Sequence, residues 1–99
     1  MIFHITTKQN WEEAKEKGEY RGDTLASQGF IHCSTDEQLD EVVQFLFKGK
    51  AGLVLLEIDE SKVIPKIKYE DGGNGKLYPH IYGSLNVDAV VNVRDFEVE

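Results

Sequence analysis

The chain has 99 residues, with 18 acidic against 11 basic side chains and a formal net charge of −7. That length supports one domain over residues 1–99 with a single core, burying roughly two-thirds of the surface the unfolded chain exposes. The acidity argues against nucleic acid as the main partner, since phosphate binding needs clustered Lys and Arg, but it leaves room for a small anionic ligand held by a few local cations or backbone amides.

Ile2 to Thr6 alternates apolar and polar side chains and predicts a strand, with His4 and Thr6 on one face and Phe3 and Ile5 on the other. Thr7 and Asn10 offer helix caps, and Asn10-Trp11-Glu12-Glu13 resembles a capping box opening a helix that Gly18 stops. Its apolar face is thin, Trp11 and Ala14. Tyr20 fits a short strand and residues 23–27 a helical turn. Gln28-Gly29 turns the chain into Phe30 to Ser34, a second strand with Phe30, His32 and Ser34 on one face and Ile31 and Cys33 on the other. Ser34 to Glu37 has the S-x-x-E form of a capping box, and Leu39, Val42, Val43 and Leu46, with Phe47, make an amphipathic helical stripe ended by Gly49. Leu53 to Ile58 is apolar on both faces and predicts a central strand. Ile67 to Glu70 and Lys76 to Tyr78 flank Asp71 to Gly75, whose glycines suit a hairpin. The last strand is expected from Ala89 to about Val98, with Ala89, Val91 and Val93 on one face. Many strands and two helices in the N-terminal half indicate an α+β fold with a mixed, mostly antiparallel, twisted sheet.

Chemistry is concentrated in few residues. If the two histidine strands lie side by side, imidazoles and hydroxyls converge on one surface backed by apolar packing. A neutral imidazole both donates and accepts hydrogen bonds, so it can hold a ribose hydroxyl or a carboxamide, and near neutral pH it can move a proton. A histidine beside apolar residues is also commonly structural, making one internal hydrogen bond. A zinc reading of three histidines and one cysteine lacks metal-ligand spacing. As a nucleophile Cys33 would need an exposed thiolate, whereas alternation points it inward. The Asp71 to Gly75 loop lacks the lysine-serine ending of a phosphate loop. Tyr69, Tyr78 and Tyr82 either stack on a ring or cover the sheet edge. Glu70 and Asp71 are the acids beside the glycine loop and the Tyr78-Pro79-His80 segment. A single cysteine excludes an internal disulfide and fits a reducing compartment. No basic-then-apolar leader is recognisable, and the Leu53 to Leu56 run is far too short to span a bilayer, so a cytoplasmic protein with no membrane partner is expected.

Ile2-Phe3-His4-Ile5-Thr6, Gly29-Phe30-Ile31-His32-Cys33-Ser34, Leu53 to Asp59, Glu70-Asp71-Gly72 and Leu77-Tyr78-Pro79-His80-Ile81-Tyr82-Gly83 resemble, in this order, the small domain-of-unknown-function family 952. Its members resemble the ADP-ribosyltransferase fold, which binds NAD in a cleft between two small sheets. The resemblance implies NAD as cofactor, with His4 in the place that holds its ribose and Thr6 assisting on the same face. Tyr20 and Phe30 are the candidates for the aromatic that stacks on nicotinamide. Glu70 and His80 compete for the remaining catalytic place, commonly a glutamate that stabilises a cationic sugar. The expected site thus joins catalytic Glu70 and His80 to cofactor-binding His4, Thr6, Ser27, Phe30, His32 and Ser34. The activity implied is transfer or hydrolysis of ADP-ribose, with a protein acceptor left undefined. The alternatives are a non-catalytic module for a nucleotide-like small molecule and a protein-interaction domain with structural histidines.

Overall fold

The alternation at the start of the chain forms strand β1, Ile2–Thr7, which pairs antiparallel with β4, Leu53–Ile58, from Ile2 opposite Ile58 to Thr7 opposite Leu53. The structure is a computed structural model and describes residues 1–22, 24–42, 51–72 and 75–96. Strand β4 also pairs with β8, Val90–Phe96, so it is central in a three-stranded sheet ordered β1-β4-β8. Its double-sided apolar sequence follows from this position. Val54, Leu56 and Ile58 face the main core, while Leu53 and Leu55 pack with Phe3 and Ile5 on the other side.

Helix α1, Lys8–Lys17, starts earlier than the Asn10 capping box suggests. Thr7 is the cap that forms: its Oγ1 accepts from the Asn10 N–H at 3.1 Å. Gly18 ends the helix at φ 83°, a conformation glycine adopts without a Cβ penalty, and its N–H donates to Ala14 O. Trp11 and Ala14 are the buried face, as the spacing requires. Next come β2, Glu19–Tyr20, the single turn α2, Leu25–Gln28, ended by Gly29 at φ 85°, and β3, Ile31–His32.

The S-x-x-E box is displaced by one residue. Thr35 caps a 3₁₀ turn over Asp36–Gln38, and Gln38 Oε1 accepts from the Thr35 N–H at 3.0 Å. Ser34 is drawn instead into a backbone bridge with Phe3, donating and accepting at 2.8 Å. Helix α3, Leu39–Val42, begins the expected stripe, and Leu39 packs on the smaller cluster. Val43, Leu46, Phe47 and Gly49 lie outside the described residues.

Strands β5, Lys66–Asp71, and β6, Leu77–Tyr82, form the hairpin expected around the glycine loop, with Gly72 N–H donating to Lys76 O at 3.1 Å. A second three-stranded sheet is ordered β3-β6-β5, and β2 pairs with β7, Leu85–Asn86, in a two-stranded sheet. The strands therefore divide into three antiparallel sheets rather than one. The physical reason is the shortness of β3, which pairs with β6 and whose backbone pairing with β1, among the described residues, is the single Phe3–Ser34 bridge.

The last strand also departs from expectation. Ala89 belongs to a 3₁₀ turn and is fully buried, whereas Val91 and Val93 are exposed. The register slips between Glu57 and Ile58, with Glu57 opposite Asn92 and Ile58 opposite Val90. Val91 is the extra residue, and a bulge of this kind breaks the alternation that would have carried it inward.

Candidate functional site

The main core joins the two larger sheets. Ile2, Val54 and Leu56 of the first meet Ile31, Cys33 and Ile81 of the second. Residues paired across an antiparallel bridge project to the same side. The Phe3–Ser34 bridge therefore makes the Phe3 face of β1 continuous with the Ser34, His32 face of β3. His4 lies on the opposite, core-side face. The histidines thus form two groups, and the single convergent surface expected from the strand pattern divides accordingly.

The first group surrounds His4. Its Nδ1 donates to the His32 carbonyl oxygen at 2.5 Å, so the side chain ties β1 to β3 beside the bridge. Its Nε2 is 2.7 Å from the Tyr20 hydroxyl, which is 2.9 Å from Thr6 Oγ1, and Asn10 Nδ2 donates weakly to that same oxygen at 3.5 Å. The carbonyl can only accept, so Nδ1 carries a proton. The Tyr20 hydroxyl donates to Thr6 Oγ1, and its oxygen stands against His4 Nε2. A shallow pocket of about 160 Å³ beside Tyr20, reaching Asn10 and Arg21, is smaller than the ~300–1,000 Å³ of ligand sites.

The second group lies on the face of the second sheet turned away from the core. Register sets His32 opposite His80, and His80 opposite Lys68. Alternation adds Tyr82 on β6 and Glu70 on β5 to the same face. Phe30, just ahead of β3, stacks on the His80 ring with centroids 4.2 Å apart and planes at 17°. The same Phe30 ring touches His32 at 4.7 Å and Tyr82 at 5.3 Å, and His32 stands edge-on to His80 at 5.1 Å. Under this cover His80 is only 4% exposed although it faces away from the core. Its Nδ1 donates to Glu70 Oε1 at 3.2 Å, and the Tyr82 hydroxyl donates to the same oxygen. His80 Nε2 is buried with no hydrogen-bond partner among the described residues.

The electrostatics follow from these contacts. The bond from Tyr82, and then that from His80, hold the Glu70 carboxyl below the usual carboxylate range. The bond to Glu70 raises the Tyr82 phenol. Partial burial, and then the charge of His80, lower the His32 imidazole, whose Nε2 is 2.7 Å from Gln28 Oε1. Burial above all, with Glu60 adding to it, pushes the Cys33 thiol far up, which makes it an inert core residue.

Of the residues the sequence singles out, Phe30, His32, Glu70 and His80 come together in the second group, and His4 and Thr6 in the first. Ser27 is exposed on α2 with its Oγ donating to Thr24 O at 3.4 Å, and Ser34 is buried at the bridge. No described contact brings either serine to the ring cluster. Tyr82 and Gln28 enter as partners that the sequence reading did not assign. The i, i+2 spacing of Tyr78, His80 and Tyr82 could have placed Tyr82, whereas Gln28 lies across a turn from His32 and leaves no periodic signal.

The architecture and these ring groups define a small α+β protein whose described residues form three antiparallel sheets, with a histidine–carboxylate cluster on a sheet face. The chain belongs to DUF952, described as a protein family of unknown function, which it matches over residues 5–93. Protein CC0527 from Caulobacter crescentus, a structural genomics target, is similar to it: its crystal structure has a TM-score of 0.90 at 31% identity, covering 99% of this chain and 87% of that one. The solution NMR structure of CC0527 gives a TM-score of 0.85 at 31% identity, covering 99% of this chain and 85% of that one. No curated protein matches the chain. Among the described residues no helix is long and apolar enough to cross a membrane.

Proposed function

We propose that the chain binds NAD or a related nucleotide against the Phe30, His32, His80, Tyr82 cluster, and that it breaks the bond between nicotinamide and ribose, releasing ADP-ribose to water or to an acceptor. One observation carries this reading: a ring cluster with an attached carboxylate is assembled on a sheet face turned away from the core, where packing alone does not call for it. Planar rings stack on such a surface, and the imidazoles supply donors and acceptors. His4 and Thr6, on the core-side face and tied through the Tyr20 hydroxyl, support the sheet beneath this surface. Cleavage leaves a cationic sugar, so the site must orient the substrate against the rings and bring the attacking water to it.

A specific observation favours a non-catalytic nucleotide module as the second reading: Glu70 Oε1 already accepts from both Tyr82 and His80, so that oxygen is turned toward the protein. Titration with NAD followed by amide NMR, together with an assay of released nicotinamide, separates the two. Saturable shifts at the ring cluster with release support the enzyme. The same shifts without release support the module, and a spectrum unmoved by NAD or ADP-ribose refutes both.

A further inference from the structure

We infer that His80 is the proton acceptor of this site and that Glu70, held by Tyr82, is a positioning residue acting through it rather than the charge that faces the sugar. The choice of NAD as substrate rests on the proposed function, whereas the roles rest on the geometry of the protein alone.

A carboxylate oxygen accepts and does not donate, so the contact from His80 Nδ1 to Glu70 Oε1 places a proton on Nδ1. In the neutral ring the other nitrogen, Nε2, then carries the lone pair. That atom is the buried side-chain nitrogen without a partner among the described residues. Buried polar atoms are rarely left unpaired, and those that are point to a bound molecule or to chemistry. Tyr82 donates to the same Oε1, so two donors fix the carboxylate toward the ring. Lys68 faces His80 in register and adds positive charge near Glu70. A carboxylate that fixes an imidazole tautomer and leaves the far nitrogen free is the arrangement of a general base. Phe30, partly buried, stacked on His80 and preceded by Gly29 at φ 85°, is the ring beside which an incoming planar ring would lie.

In the step this implies, His80 Nε2 takes a proton from water while the water oxygen bonds to the ribose carbon attached to nicotinamide. The carbon–nitrogen bond breaks, and its electron pair neutralises the pyridinium nitrogen, so nicotinamide leaves neutral. His80 then returns the proton to solvent. The products are ADP-ribose, nicotinamide and one proton.

The test has a ligand-free arm and a kinetic arm. Long-range ¹⁵N NMR of the protein without ligand should show His80 with a protonated Nδ1 and an unprotonated Nε2. This preference should persist in Glu70→Gln, whose amide oxygen still accepts, and be lost in Glu70→Ala. The opposite tautomer in the unaltered protein overturns the inference whether or not NAD binds. In NAD hydrolysis, His80→Ala should lower kcat by about 10²–10⁴-fold, the range of a general base. Glu70→Ala should lower it by a smaller factor than His80→Ala does, as loss of an orienting partner does, with KM little changed. Glu70→Gln should recover most of that loss. A Glu70→Gln variant as inactive as Glu70→Ala, beside a His80→Ala variant near full activity, would mean that the carboxylate charge does the work and overturns the inference. Absence of NAD binding refutes the proposed function alone, and the tautomer then decides the inference.

Discussion

Tyr20→Phe isolates the row of hydrogen bonds that fixes His4. The ring of Tyr20 is buried in the main core, and phenylalanine keeps its shape, so the substitution removes only the hydroxyl. The described contacts that go with it are those to His4 Nε2 at 2.7 Å and to Thr6 Oγ1 at 2.9 Å. Each intramolecular hydrogen bond contributes about 0.5–1.5 kcal/mol net, and more where the abandoned partner stays buried. Thr6 keeps the Asn10 amide and His4 keeps the His32 carbonyl, which limits the penalty. The expected destabilisation is about 2 kcal/mol, or roughly 8–16 °C in Tm for a domain of this size. Urea denaturation followed by circular dichroism measures it, and a cycle with Thr6→Val gives the coupling between the two hydroxyls. A loss under about 0.5 kcal/mol, or no coupling in the cycle, would refute the view that this row is a stabilising unit.

The central strand gives a further expectation: Leu56→Ala, at a fully buried site between two paired strands, should cost about 2–5 kcal/mol in the same denaturation experiment. Cys33 should react with a thiol-specific disulfide reagent only as fast as the protein opens, because burial holds the thiol protonated; immediate reaction in the native state would contradict its placement. The His32 imidazole is lowered in the folded protein, so the unfolded chain binds the proton more readily. Stability should be full above the unfolded value of about 6.5 and decline as pH falls through the folded value, and in His32→Gln this part of the decline should be absent from urea midpoints taken between about pH 7.5 and 5.

Much of the fold is written locally. β4 reads as central because both of its faces are apolar, α1 stops where Gly18 can take a positive φ, and the glycine loop closes a hairpin. The pairing of Phe30 with His32, and of His4 with Thr6, follows from a period of two along a strand. What alternation cannot specify is which face of one strand continues into which face of another. Here one bridge, Phe3 to Ser34, makes that decision and sends His4 to the core side while His32 and His80 go to the other. The same limit hid the bulge at Val91, where one unpaired residue inverts the pattern, and the capture of Ser34 by Phe3, which passed the cap to Thr35. The contact between Glu70 and His80 lies at the same level. Ten residues separate the two along the chain, and only the β5–β6 register brings carboxylate and imidazole within bonding distance. Residue types and their period are properties of the sequence, whereas register and the continuity of faces come from long-range backbone pairing, and that pairing assembled the ring cluster.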